Sequence, residues 1–211
     1  MEWSLKADFG GGKNLFLTTK IMKRIFYDLE TSGLNPAKNG IHQISGIIEI
    51  NGIEKETFNF KVCPNPKAVI EQEALDIAGV TEMQILAYPP MAVVYKQLIE
   101  MLAKYVDKFD KKDKFTLVGY NNCSFDNQFL RGFFLQNNDN YFGSWFWSNS
   151  IDVMVIASEF LEPMRSEMVD FKLKTVAKQM GIEVDEKKLH DALYDIRLTK
   201  EILDIIQLRR K

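Results

Sequence analysis

A chain of 211 residues, 46% hydrophobic and 27% charged, has the makeup of one compact domain long enough to bury a core. No apolar run reaches the roughly 18 residues a membrane-spanning helix needs, and the N-terminus lacks the basic-then-apolar order of a secretory leader, so a cytoplasmic protein away from membranes is expected. The formal net charge of −2 excludes a protein that coats nucleic acid through bulk charge, and two distant cysteines, Cys63 and Cys123, point to neither a disulfide framework nor a thiolate metal site.

Residues 1–22 carry a Gly triplet and no sustained period, and their GGGK lacks the spacing of a phosphate loop. They read as an appended arm, disordered or foreign to the domain, which spans 23–208 and ends in a basic tail at 209–211. RIFYDLE reads as a strand running into the turn chemistry of TSGLNP. IHQISGIIEI and KETFNFKV flank Asn51-Gly52, a strong hairpin signal. Residues 71–86 have helical spacing broken at Gly79, and 91–106 form an amphipathic helix with Val94, Leu98, Met101, Leu102 and Tyr105 on or near one face. DKFDKKDK, 107–114, alternates in sign and reads as a solvated linker. FTLVGY is a buried fourth strand; SFDNQFLRGFFLQ is a helix with Asn122 or Ser124 as its cap; SNSIDVMVIASEFL is a short fifth strand passing into a helix for which Asp152 suits the N-cap. Residues 170–181 and 191–208 are helical, Leu193, Ile196, Leu203 and Ile206 facing inward. The order βββαβαβαα predicts an α/β domain with a mixed sheet and helices against it.

Asp28 and Glu30 alternate at the end of the first strand, so a period of two puts both on one face, although acids are poor strand formers. Asp126 follows the fourth strand and Asp195 opens the last helix, each where the positive end of a helix dipole favours an anion. Singly, each has a bland structural explanation. If the first and fourth strands are neighbours, all four acids gather at one sheet edge, an arrangement that repels itself unless cations sit between them. Two divalent ions would balance the charge, and oxygen-only ligation favours Mg²⁺ or Mn²⁺. Such pairs serve phosphodiester displacement, for which a histidine can take the proton of the attacking water near neutral pH. His190, one of two histidines, stands five residues before Asp195. On an ideal helix the two would point about 140° apart, so His190 is expected on the loop ahead of an Asp191 cap, with Asp195 in the first turn and the four carboxylates already converging without metal.

In order and spacing, Asp28-Leu29-Glu30, Phe125-Asp126 and His190 with Asp195 resemble the three motifs of the DEDDh, or DnaQ-like, 3′–5′ exonucleases, over about residues 23–206. YDLETSG, ALDIAGVTEMQI, GYNNCSFD and HDALYDI are similar to segments of the nuclease domain of exonuclease I within that family. The resemblance implies an RNase H-like fold, a mixed five-stranded sheet with helices packed on both sides. It implies removal of nucleotides one at a time from the 3′ end of single-stranded DNA or short oligonucleotides. Asp28, Glu30, Asp126 and Asp195 would be metal ligands, Asp28 bridging the ions, and His190 the general base. Thr31, Leu34 and Phe125 would lie near the 3′-terminal nucleotide, buried packing being the alternative for the last two. The chain leaves no room for the added domains with which exonuclease I encloses a long strand, so processivity is not carried over. The same motifs also fit an exoribonuclease of the oligoribonuclease or RNase T kind, or a proofreading subunit working beside a polymerase; an inert nucleic-acid-binding module fits least, since all five residues are intact. A nucleic acid with a free 3′ end is the expected partner, DNA favoured over RNA, with replication or repair proteins as further candidates. His42 reads as structural or surface; Trp145 and Trp147 could stack on bases or pack in the core.

Overall fold

The computed structural model describes residues 21–189 and 191–210. Five strands, β1 (Lys23–Thr31), β2 (Ile41–Ile50), β3 (Ile53–Lys61), β4 (Thr116–Gly119) and β5 (Ile151–Asp152), lie in the order β3-β2-β1-β4-β5. The first three form the antiparallel meander expected, while β4 runs parallel to β1 and β5 parallel to β4. At the β2–β3 hairpin both central residues have positive φ, Asn51 at 53° and Gly52 at 79°, the backbone that matches the twist of the flanking strands. Met22 docks there, its N–H donating to Asn51 Oδ1 at 2.8 Å.

The helices are α1 (Gln72–Ala78), α2 (Glu82–Leu86), α3 (Met91–Ala103), α4 (Asp126–Gln136), α5 (Phe142–Trp145), α6 (Val153–Phe160), α7 (Leu173–Gln179) and α8 (Ala192–Arg209). They cover both faces of the sheet. Ile25, Tyr27 and Leu29 of β1 pack with Val94, Leu98, Met101 and Leu102 of α3 and the phenylalanines of α4. Phe26 turns the other way and joins Val153 and Ala157 of α6, Val176 of α7 and Ile196, Ile202 and Ile206 of α8. Alternation along one strand therefore feeds two cores. Every aliphatic side chain buried here contributes roughly 1.5–3 kcal/mol relative to exposure.

The break at Gly79 is real: Gly79 takes a left-handed conformation at the C-cap of α1, and Thr81 with Gln84 forms a capping box that restarts the chain as α2. Arg209 ends α8 and Arg210 pairs with Glu159 of α6 at 2.7 Å. Among the described residues no helix is long and apolar enough to cross a membrane. Parallel pairing brings the C-terminal ends of β1 and β4 to one edge, where open α/β sheets place their sites.

Candidate active site

Asp28 and Glu30 occupy the last turns of the pleat in β1, on the face that carries Phe26 toward α8. Between them the N–H of Leu29 donates to Oδ1 of Asp126 at 3.2 Å. That bond stitches the first residue of α4 to the first strand, and Asp126 is only 4% exposed. At α8, Asp191 is the N-cap, accepting the Tyr194 N–H at 2.9 Å, and Asp195 lies in the first turn. This is the placement expected for both. His190 lies outside the described residues.

The loop from β4 to α4 departs from expectation. Neither Asn122 nor Ser124 caps α4: its N-cap is Phe125, without a side-chain hydrogen bond. Gly119 lets the chain double back under itself, for a Cβ there would stand 2.8 Å from Cβ of Asn122. Asn121 then takes the left-handed region, φ 61°, which asparagine tolerates better than most residues. Asp152 secures the turn. Its carboxylate accepts the Asn121 N–H at 3.0 Å and the Cys123 N–H at 3.2 Å, and also caps α6 through the Met154 N–H at 3.1 Å. The cap role of Asp152 was legible in sequence; its hold on the Asp126 loop was not, because it joins residues about thirty positions apart.

The charges of the four carboxylates meet in one cleft. Burial, then Asp126, Glu30 and Asp195, hold the Asp28 carboxyl well above its ordinary range. Burial followed by Asp195 pushes Glu30 up to about 7, with Lys61 opposing. Asp126 is also raised to about 7, mainly by burial, while the Leu29 N–H pulls the other way. Among the described residues no group of three or more acidic, histidine or cysteine side chains is arranged to hold a metal ion. Four carboxylates that raise one another's proton affinity repel each other when ionised. Their chemistry still suits a hard divalent cation, being all oxygen and held uncomfortably close.

Thr31 is nearly buried and its hydroxyl donates to the Gly33 carbonyl at 2.8 Å. Leu34 is 79% exposed, so buried packing does not explain it. Phe125 is partly buried against Phe129, ring centroids 5.0 Å apart. His42 is fully buried, not on the surface, and burial with the nearby Lys61 lowers its imidazole to about 4. Trp145 is 2% exposed within the core, which removes it as a base-stacking residue; Trp147 pairs through its N–H with Phe115 beside the N-terminal end of β4, the opposite end from the carboxylates. Base-stacking potential cannot be separated from core packing when only the aromatic identity is known.

The exonuclease family model matches residues 25–203. Exodeoxyribonuclease I of Escherichia coli is 28% identical over 205 residues, covering 88% of this chain and 40% of the relative. The PolC-type DNA polymerase III of Mycoplasmopsis pulmonis is 27% identical over 199 residues, 93% of this chain and 12% of that protein. The chain thus spans well under half the length of either relative. E. coli exonuclease I in complex with a dT13 oligonucleotide superposes with a TM-score of 0.71 at 22% identity, covering 90% of this chain and 42% of that one. The zinc ion bound form of the E. coli exonuclease I–ssDNA complex gives 0.70 at 22%, with 90% and 41% covered. At such identity these likenesses speak to fold, and they agree on an RNase H-like mixed sheet with helices on both faces.

Proposed function

The chain belongs to the exonuclease family, and on that footing we propose that it removes nucleotides one at a time from the 3′ end of single-stranded DNA or short oligonucleotides, releasing 5′-mononucleotides. The observation that carries this reading is the mutual action of Asp28, Glu30, Asp126 and Asp195 in one partly buried cleft. Carboxylates whose proton affinity is raised by burial and by one another are candidates for a functional site.

Asp28, Glu30, Asp126 and Asp195 would hold two divalent cations, Mg²⁺ or Mn²⁺. Bound there, the ions supply positive charge against the oxygens of the phosphodiester as it is displaced. The zinc ion bound form of the related exonuclease I–ssDNA complex supports a divalent metal for this chain. His190, five residues before Asp195, takes the proton of the attacking water; the water oxygen bonds to phosphorus, the bond from phosphorus to the 3′ oxygen breaks, and that departing oxygen takes a proton from solvent, which leaves a 3′-hydroxyl on the shortened strand. A side chain that titrates near neutrality suits that task. Leu34, Thr31 and Phe125 contact the terminal nucleotide, a role supported for Leu34 by its exposure. Replication or repair proteins are the partners we propose for an enzyme of this kind.

The test is Asp28→Ala on a 3′-labelled single-stranded oligomer in Mg²⁺. Hydrolysis should vanish while circular dichroism and the melting transition persist; activity retained in a clean preparation overturns the metal assignment. Matched DNA and RNA oligomers of several lengths test the substrate, and faster cleavage of RNA would replace the DNA reading.

A further inference from the structure

Strand register extends the acidic cleft sideways. Glu30 stands opposite Gln43, which stands opposite Lys61; one step along, Asp28 stands opposite Ser45, which stands opposite Asn59. Directly paired residues share a face, so two polar rows run from the carboxylates across β2 to the sheet's edge strand. Gln43 Nε2 donates to Ser45 Oγ at 3.1 Å and Asn59 Oδ1 at 2.9 Å, which turns the Gln43 carbonyl oxygen toward Lys61, and Lys61 Nζ donates to it.

This lysine differs from Lys200 and Lys23. Lys200 and Lys23 each meet a carboxylate at 2.5 Å. Lys61 is half-buried, and among the described residues its one hydrogen bond goes to a neutral amide; its second contact is the Tyr88 ring face, 5.8 Å from the ammonium. An ammonium carries three donors, so a neutral acceptor fixes its position without neutralising its charge. Glu30 and Asp191 feel that charge without forming an ion pair with it. A polyanion must approach a cleft of four carboxylates, and a held but unpaired cation at its rim lowers that barrier.

We propose that Lys61 binds a backbone phosphate of the substrate strand, outside the bond that is cut. The assignment rests on the exonuclease reading and adds a substrate contact to it. Lys61→Met and Lys61→Arg would be compared with wild type on a 3′-labelled single strand across a NaCl series, alongside fluorescence anisotropy of the same strand with Ca²⁺ in place of Mg²⁺. Lys61→Met should raise KM about tenfold at low salt with kcat within twofold, the size expected for one charged hydrogen bond. Its log–log salt slope should be shallower by about 0.7, one phosphate contact on a single strand, and Lys61→Arg should restore both. An unchanged slope, with kcat lowered and the Mg²⁺ half-saturation raised, would instead make Lys61 a counter-charge for Glu30 and overturn the proposal. If the wild type binds with a Lys61-dependent slope but cuts nothing, the nuclease reading fails and the phosphate contact stands; if it cuts and Lys61→Met binds identically, the contact fails and the nuclease reading stands.

Discussion

Two acidic sites lie on the same face of the sheet, on either side of Phe26, and they are treated in opposite ways. Glu49, 2% exposed, stands across from Arg24 at 3.7 Å and receives Lys200 of α8 at 2.5 Å, with the Lys200 ammonium 5.0 Å from the Phe26 ring centroid. A few residues along, Asp28 and Glu30 interact with Asp126 and Asp195, and the cation that acts on Glu30, Lys61, is held by an amide. Both clusters pay a desolvation cost. The first offsets it with ion pairs inside the fold, whereas the second sets carboxylate against carboxylate, an arrangement that a cation from outside would relieve. The same helix takes part in both, contributing Lys200 to one and Asp195 to the other.

That contrast can be broken from either side. The largest effect is expected on catalysis: Asp126→Asn keeps an oxygen for the Leu29 N–H yet should remove single-strand hydrolysis by at least about 10³-fold, while melting in EDTA at pH 8 moves upward because one repelling charge is gone. A lower melting temperature there would mean the cleft is not strained by its charge. Next in size, Glu49→Ala takes the carboxylate from Arg24 and leaves Lys200 with Asp204 at 3.2 Å, and should cost about 1–3 kcal/mol in urea unfolding, with kcat per folded molecule unchanged. Loss of activity beyond the unfolded fraction would merge the two clusters into one site.

A smaller effect concerns pH. Glu30 and Asp126 hold protons up to about 7 when folded, against ordinary values of 4.5 and 3.8, so the folded state binds protons that the unfolded state has released. Their contribution is therefore complete below about pH 4 and is lost as pH rises through about 7. In EDTA the melting temperature should fall across that window, Glu30→Gln should flatten the fall, and saturating Mg²⁺ should abolish it by binding the ionised form. A profile that ignores Mg²⁺ would count against a metal in the cleft.

Much of this was legible before any coordinates. Alternation in KRIFYDLET announced a strand with Asp28 and Glu30 on one side, because side chains on a pleat can go only two ways. Asn51-Gly52 fixed a hairpin, and Asp191 marked the start of α8 in time for Asp195 to reach its first turn. These are local properties, set by backbone sterics and by unpaired amides at a helix start. Two other features were not settled by the same reading: Asn122 has the composition of a cap but is buried, and Trp145, for which stacking and core packing were both open, fills the core.

What the sequence determined by itself was the elements, the faces of the strands and the residue types able to bind hard cations. Tertiary structure decided which acids acquire partners. Glu49 and Glu30 are both glutamates on strands, and only the cross-strand register and the seat of α8 give one of them Lys200 and deny it to the other. The same register brings Lys61 beside Gln43 and within reach of Glu30. Coulombic and desolvation energies depend on distances through space between residues far apart in the chain, so spacing along the sequence can nominate a charge but cannot say what it faces.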